Sequence, residues 1–215
     1  MDEKISYAPS DEKRINRRIW LALAVFAVIS AAAAALFILL TPNPLAEKSS
    51  VADGNTYTNT ALNITCTVPD GWTAPDEDTI RSAMAQSEEK LGAKADTEST
   101  KILMLYQDPR TGGYVQLTCS YVEGISPEEA LKAMSDSCGS FAAAWAPDGD
   151  WSVSQPYAVA LAGYEWQAER VQLHSMAADV YFLTMVYKDY MCSITAVGLA
   201  SESPVSYLDF FSSAG

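Results

Sequence analysis

An uninterrupted apolar run near the start of the chain limits its architecture more than any other feature. Residues 19–40, IWLALAVFAVISAAAAALFILL, contain no charged residue and no proline. At a rise of about 1.5 Å per residue, a helix over this run is about 33 Å long and can cross a hydrocarbon core of about 30 Å. The alternative is a cleaved secretory signal, whose apolar region is typically about 7–15 residues long and ends in small residues. The run is longer, and NPLAEK after it has Pro44 where the first small residue should stand. We therefore predict a retained transmembrane helix.

The charges flanking this run predict its orientation. Four basic residues of the segment KRINRR lie just before it, whereas only Lys48 lies close behind it. Basic flanks stay in the cytoplasm. The sequence thus predicts a cytoplasmic tail (1–18), a transmembrane helix (19–40), a linker (41–55) and an extracytoplasmic domain (56–215). This places a single-pass protein in the cytoplasmic membrane, with the N-terminus inside and the C-terminal domain outside.

The part beyond the predicted helix is acidic, with nine basic and 23 acidic residues. A surface of this sign repels phosphate groups, which argues against nucleic acid and against docking on anionic lipid heads. Acidic surfaces also keep exported domains soluble, and this simpler explanation accounts for the charge.

All four cysteines, Cys66, Cys119, Cys138 and Cys192, lie beyond the predicted anchor. An even number on the oxidising side of a membrane predicts two disulfides, with three connectivities to choose from. We favour Cys119–Cys138, which ties a strand to the helix folding over it, and Cys66–Cys192, which joins the first and last strands. Each cysteine also falls on an apolar face, so four buried thiols remain the alternative. No C-x-x-C spacing occurs, which argues against a zinc site or a thioredoxin-type motif.

Apolar alternation predicts most of the strands in the domain. YTNTALNITCTVP is interpreted as one half-buried strand, KILMLYQD and YVQLTCSYV as a hairpin, and four further strands are expected between residues 152 and 198. Helices are expected from a cap at Thr73 to Gly92, after Ser126, where SPEE forms a capping box, and from Pro204 to Ser212. Because hairpins link most strands, the predicted fold class is α+β, with a largely antiparallel β-sheet flanked by helices.

One stretch of sequence adds a resemblance. The order Y-T-N-x-x-L-N-I-x-C-x-V-P-D-G-W from Tyr57 to Trp72, the expected helix after it and the late strands ending in YMCSITAVG resemble the Mog1/PsbP-like superfamily. The likeness is greatest to its small exported or membrane-anchored bacterial members and covers nearly all of 56–215. It implies a Mog1/PsbP-like sandwich. Superfamily members serve as partner-binding or accessory proteins in unrelated settings, so the resemblance implies neither an activity nor particular functional residues.

No catalytic residue is predicted. His174 is the single histidine, and Ser175 and Asp179 lie close to it in sequence. A general base needs a nucleophile and an orienting group around it, and neighbours within one turn rarely form such a triad. We interpret His174 as a solvated loop residue.

No metal site or cofactor is predicted either. The acidic clusters Asp76–Asp78 and Asp148–Asp150 offer oxygen ligands for calcium. The first cluster suits the first turn of a helix, and the second lacks the spacing of a calcium loop.

The favoured function is a membrane-anchored extracytoplasmic module without catalysis, which serves as an accessory to, or binds, another envelope protein. The alternative is a small-ligand or cell-wall glycan binder, for which Trp151 and Trp166 are the candidate aromatic contacts. An enzyme that uses His174 is the third hypothesis.

Overall fold

The computed structural model describes residues 50–76, 79, 100–199 and 204–214. The predicted cytoplasmic tail, the transmembrane helix 19–40, most of the linker and nearly all of the helix expected after Thr73 lie outside the described residues. Among the helices that are described, none is long and apolar enough to cross a membrane.

The described residues form a small and a large β-sheet, and every strand pairing in them is antiparallel. The strands are β1 Ser50–Asp53, β2 Thr56–Asn59, β3 Ile64–Thr67, β4 Thr100–Gln107, β5 Tyr114–Tyr121, β6 Trp151–Val153, β7 Tyr157–Leu161, β8 Tyr164–Leu173, β9 Ala178–Tyr187, β10 Tyr190–Leu199 and β11 Phe211–Ser213. The small sheet has the order β1-β2-β3-β11. The large sheet has the order β4-β5-β10-β9-β8-β6, and β7 also pairs with β8. Helix α1 spans Pro127–Trp145, and 3-10 helices span His174–Met176 and Pro204–Phe210.

Helix α1 begins where the sequence predicts. The Ser126 hydroxyl accepts a hydrogen bond from the Glu129 backbone N–H at 3.2 Å, and the Glu129 carboxylate accepts one from the Ser126 N–H at 2.9 Å. This reciprocal box satisfies two N–H groups that have no partner inside the helix. A buried stripe of Ala130, Met134, Cys138, Phe141, Ala142 and Trp145 then turns toward the large sheet.

The large sheet is the middle layer of the fold. Val171 and Val180 point to one face and pack under α1, whereas Trp166 and Leu183 point to the other face and pack against the small sheet. Side chains alternate along a strand, so each strand of the middle layer serves both cores. The prediction of antiparallel sheet structure flanked by helical elements is confirmed.

Two boundaries at the start of the domain differ from the prediction. The expected single strand is a hairpin of β2 and β3. The Asn59 side chain accepts from the Leu62 N–H at 3.0 Å, and Asn63 adopts a left-handed φ of 51°, so the chain turns between them. The predicted linker 41–55 also contains a strand, β1. Its residues are a strand and not a linker because their backbone pairs with β2 along the full length of β1.

Three further details differ. Thr73, the expected helix cap, instead pairs with Gln107 in a β-bridge. Pro156 divides one expected strand into β6 and β7, since proline lacks the N–H needed for a ladder. The expected terminal helix is a 3-10 helix, and the chain after it extends into β11, where Phe211 lies opposite Cys66.

Candidate functional site

Four tyrosines form a row across neighbouring strands at one end of the large sheet. Tyr121 on β5 lies opposite Tyr190 on β10, and Tyr190 lies opposite Tyr187 on β9. Tyr164, at the start of β8, contacts Tyr187 with ring centroids 6.2 Å apart. We call Tyr121, Tyr190, Tyr187 and Tyr164 the tyrosine row. It is the end of the face that packs against the small sheet.

The rings of the row are anchored at one side and open to solvent at the other. Tyr121 is 49% exposed, and the other three rings are half-buried against the core. Burial raises the pKa of Tyr164 and of Tyr190 above the ordinary range of a phenol. These hydroxyls therefore stay protonated at neutral pH and can donate hydrogen bonds to an incoming carbonyl.

The rim of the row is charged and mostly acidic. The tight β9–β10 turn places Lys188 with its Nζ 5.1 Å from the centre of the Tyr187 ring. Two exposed carboxylates lie at this turn, from Asp189 itself and from Glu123 in the loop after β5, where the Val122 N–H donates to the Asp189 carbonyl. A partly apolar, aromatic centre with a charged rim is the composition of a protein-contact surface.

A cleft adjoins the row on the opposite face of the sheet. Its volume is about 240 Å³, and it lies between the start of α1 at Pro127 and strands β8 and β9, where Gln167 and Thr184 line it. Ligand pockets typically have about 300–1,000 Å³. The cleft is therefore smaller than the usual small-molecule site.

The structure places the cysteines differently from the pairs that the sequence favoured. Cys119 and Cys192 lie opposite one another on β5 and β10, with their Sγ atoms 2.7 Å apart. Cys138 belongs to α1 and points into the core on the other face of the large sheet. Cys66 is on β3 of the small sheet. The observed sulfur contact thus joins one cysteine from each favoured pair. Sequence spacing does not reveal which strands become neighbours, so it did not indicate this contact.

A buried carboxylate lies beneath α1. Glu169 is 2% exposed and accepts a hydrogen bond from the Ser135 hydroxyl. Burial, followed by the charge of Glu169, raises the pKa of the neighbouring Cys138 thiol. A thiol in this setting stays protonated, so it is a poor nucleophile at neutral pH.

The two candidate sugar-contacting tryptophans do not share a surface. Trp166 is fully buried on the small-sheet side, and its indole N–H donates to the Leu161 carbonyl at 3.1 Å. Trp151 packs on the opposite face, next to α1. The prediction that this pair forms an aromatic platform is therefore wrong. Side chains alternate between the two faces of a sheet, and Trp151 and Trp166 point to opposite faces.

His174 is exposed in its 3-10 turn, as predicted. Asp179, which lies close to it in sequence, instead accepts a hydrogen bond from Arg170 at 2.6 Å. Asp148 and Asp150 are exposed in the loop after α1, and Asp76 accepts from the Thr79 N–H at 2.7 Å, as a helix cap does. Glu77 and Asp78 lie outside the described residues. No three metal-binding side chains are grouped anywhere in the described ranges.

Sequence reasoning missed the tyrosine row, although a signal was present. Tyr121, Tyr164, Tyr187 and Tyr190 each stand at the end of a strand, and the two-residue turn between Tyr187 and Tyr190 makes those two partners. When several strands end in the same aromatic residue and the strand order is known, these residues are expected to lie side by side on one face of the sheet.

No family model matches the chain, and no curated protein matches it. Among solved structures, the solution structure of cyanobacterial PsbP (CyanoP) from Synechocystis sp. PCC 6803 is similar, with 14% identity and a TM-score of 0.45. The match covers 79% of this chain and 98% of that one.

Proposed function

We propose that this chain is a membrane-tethered module that binds another envelope protein through the tyrosine row and has no catalytic activity of its own. In this proposal, residues 19–40 hold the domain at the outer face of a cytoplasmic membrane, and the domain is a Mog1/PsbP-like sandwich. The observation that carries the proposal is the alignment of four solvent-facing tyrosines on four adjacent strands. Tyrosine is enriched at protein interfaces because its ring buries a large area and its hydroxyl still finds a hydrogen-bond partner.

The geometry of the rings favours a protein over a glycan. A sugar stacks on a flat aromatic face, and several rings serve one chain of sugars best when they lie in a common plane. Here the planes of Tyr121 and Tyr190 are inclined at 66°, and those of Tyr164 and Tyr187 at 84°. Rings inclined in this way do not offer the common flat surface that a chain of sugars needs. Glycan binding remains the second candidate function.

The rim specifies the chemistry of the partner. Glu123 and Asp189 outnumber Lys188 at this end of the row, and the part of the chain beyond residue 40 is acidic as a whole. Complementary charge speeds association and selects among partners. The expected partner surface therefore has an aliphatic centre and Lys or Arg residues around it. Tethering of both proteins in one membrane would raise their effective concentration, so weak contacts would suffice.

The test is crosslinking in cells followed by purification of four forms of the protein. These are the full-length chain, a form released by removing residues 1–40, a full-length Tyr121→Ser/Tyr190→Ser variant, and a full-length Tyr157→Ser variant. Tyr157 is the matched control, because it is 40% exposed but lies on β7, outside the row.

We expect one envelope protein to be captured by the full-length chain and by the Tyr157 variant. Capture should fall at least about tenfold with the row variant, since losing about 1.4 kcal/mol changes an equilibrium constant tenfold. Release from the membrane should weaken it. Equal capture by the row variant would refute the site. If no protein is captured but cell-wall material retains the domain in a row-dependent way, the glycan alternative replaces the proposal.

A further inference from the structure

We propose that Cys119 and Cys192 form a disulfide across strands β5 and β10, one row below Tyr121 and Tyr190, and that Cys66 and Cys138 remain thiols. The inference stands independently of a binding partner. It concerns only how the cysteines of this chain meet and what an oxidant does to them.

The first observation is proximity. The two Sγ atoms are 2.7 Å apart and fully buried, and the cysteines are directly opposite in the strand register. A disulfide bond is about 2.05 Å long, so closure requires the sulfurs to approach by about 0.7 Å. Since β5 and β10 are already paired along eight residues, neither strand has to be brought in from elsewhere.

The second observation is the kind of strand pair. The Val122 N–H donates to the Asp189 carbonyl at 2.9 Å, which makes these two residues a hydrogen-bonded pair. Hydrogen-bonded and non-hydrogen-bonded pairs alternate along antiparallel strands. Cys119 and Cys192 lie three positions further along an uninterrupted register, so they form a non-hydrogen-bonded pair. The Cα atoms of such pairs are about 4.5 Å apart, which lies within the range of about 4.4–6.8 Å that disulfides use.

The other two thiols have different neighbours in the structure. Cys138 lies across the large sheet, in the core under α1 beside Glu169. Cys66 is flanked across its strand by Tyr57 and Phe211. Burial raises the pKa of Cys66 to about 12, so its thiol is protonated at neutral pH and does not attack a disulfide.

The reaction is a thiol–disulfide exchange with an oxidant that itself contains a disulfide. One cysteine thiolate attacks the oxidant and releases a thiol, and the second thiolate attacks the mixed disulfide and releases another. Two protein thiols thereby lose two protons and two electrons, and the oxidant is reduced to two thiols. Burial raises the pKa of Cys119, so the exchange takes place while the chain folds, before the pair is enclosed.

The experiment uses the purified full-length protein. It is reduced, unfolded in urea, refolded with reduced and oxidised glutathione, alkylated and digested with trypsin without reduction. The chain is favourable for this, because cleavage after Lys and Arg puts each cysteine on a different peptide. Cys66, Cys119, Cys138 and Cys192 fall on 49–81, 111–132, 133–170 and 189–215. A Cys66→Ala/Cys138→Ala variant, which retains only the proposed pair, is treated in parallel.

We expect one linked species that joins peptide 111–132 to peptide 189–215, with the other two peptides alkylated. The double variant should give the same linked species. The oxidised protein should melt on the order of 5–10 °C above the reduced protein, because the link closes a long loop of the unfolded chain. Any other linkage as the main product, four alkylated cysteines, or an oxidised form that is no more stable would overturn the assignment.

Discussion

The ring of Tyr121 meets the ring of Tyr190 edge-on across strands β5 and β10, with centroids 5.4 Å apart. Half of Tyr121 is still exposed, whereas the sulfurs of the next row on the same face have no exposed surface. Between the Cys119–Cys192 pair and the Tyr121–Tyr190 pair, two residues further along each strand, this face of the sheet thus changes from buried core to exposed surface. A protein partner placed on the tyrosine row would continue the packing that the small sheet provides further along.

The contact between these two rings should be measurable as an energetic coupling. In a double-mutant cycle of Tyr121→Ala and Tyr190→Ala, we expect a coupling of about 0.5–1.5 kcal/mol, the range found for aromatic pairs beyond the area they bury. Urea unfolding of the four proteins measures it. A cycle of Tyr157→Ala with Tyr190→Ala is the control. It should give a coupling near zero, because β7 and β10 are not neighbours. Equal coupling in both cycles would mean that the rings do not interact specifically.

Gly113 should not tolerate alanine. A Cβ at this position would lie 2.5 Å from the Tyr207 hydroxyl oxygen and 3.1 Å from the Val197 carbonyl oxygen. Tyr207 cannot easily yield, because its ring is packed edge-on against Trp72 with centroids 5.0 Å apart. We expect Gly113→Ala to lower the free energy of unfolding by about 1–3 kcal/mol, as overpacking does.

The control for that prediction is Gly139→Ala in helix α1. A Cβ there meets nothing within 4 Å. Alanine should raise the free energy of unfolding by about 0.5–1 kcal/mol, since it loses less backbone entropy in a helix than glycine. Denaturant unfolding distinguishes the two variants by sign. A stabilised Gly113→Ala protein would show that the Tyr207 contact is not tight.

Asp108 should make stability depend on pH in the acid range. Hydrogen bonds from Arg110, at 3.0 Å from both Nε and a terminal guanidinium nitrogen, lower the pKa of this buried carboxyl. The folded-state pKa is thus below the unfolded value of about 3.9, so the unfolded chain binds more protons in acid. The stabilisation is fully present well above the unfolded pKa and is lost as the pH falls through the folded-state pKa.

Replacement of Asp108 therefore has a pH-dependent effect. Asp108→Asn should lower the melting temperature near neutral pH, and the difference from the wild type should shrink as the pH falls below about 3.9. Arg110→Ala should show the same trend with a smaller amplitude, because the backbone N–H of residue 110 still donates to the carboxylate. A difference in melting temperature that stays constant over the whole pH range would contradict this account.

The start of α1 should depend on its cap. Ser126→Ala removes one side of the box with Glu129, and we expect it to lower the free energy of unfolding by about 1 kcal/mol. Ser140→Ala is the matched control, since Ser140 is an exposed residue in the interior of the same helix. It should be neutral or slightly stabilising, because alanine is the better helix former. Chemical unfolding checks both variants, and equal effects would show that the box does not contribute.

Local signals predicted local structure well. The box at Ser126 and Glu129 and the turn at Lys188 and Asp189 are each encoded by a few consecutive residues. The turn between β2 and β3 was harder to predict, because the stretch TNTALN contains no glycine or proline to mark it. Only the Asn59 side-chain bond and the left-handed Asn63 reveal that the chain reverses.

The candidate site depended on information that is not local. The tyrosine row exists because the registers of β5, β10, β9 and β8 align four strand ends, and register between strands distant in sequence has no short signature. The same holds for the Cys119–Cys192 contact. Trp166 shows the reverse error, since a tryptophan interpreted as a surface contact is a core residue whose N–H has a backbone partner.

The pairing of β11 with β3 sets a delay during synthesis. The backbone of residues 64–66 finds its second neighbour only in residues 211–213, so more than a hundred residues must be made in between. At roughly 5–20 residues per second, the ribosome needs on the order of ten seconds for that stretch. During this interval β3 is an open edge able to pair with other chains, and the nascent protein depends on holding that edge unpaired until its own final strand arrives.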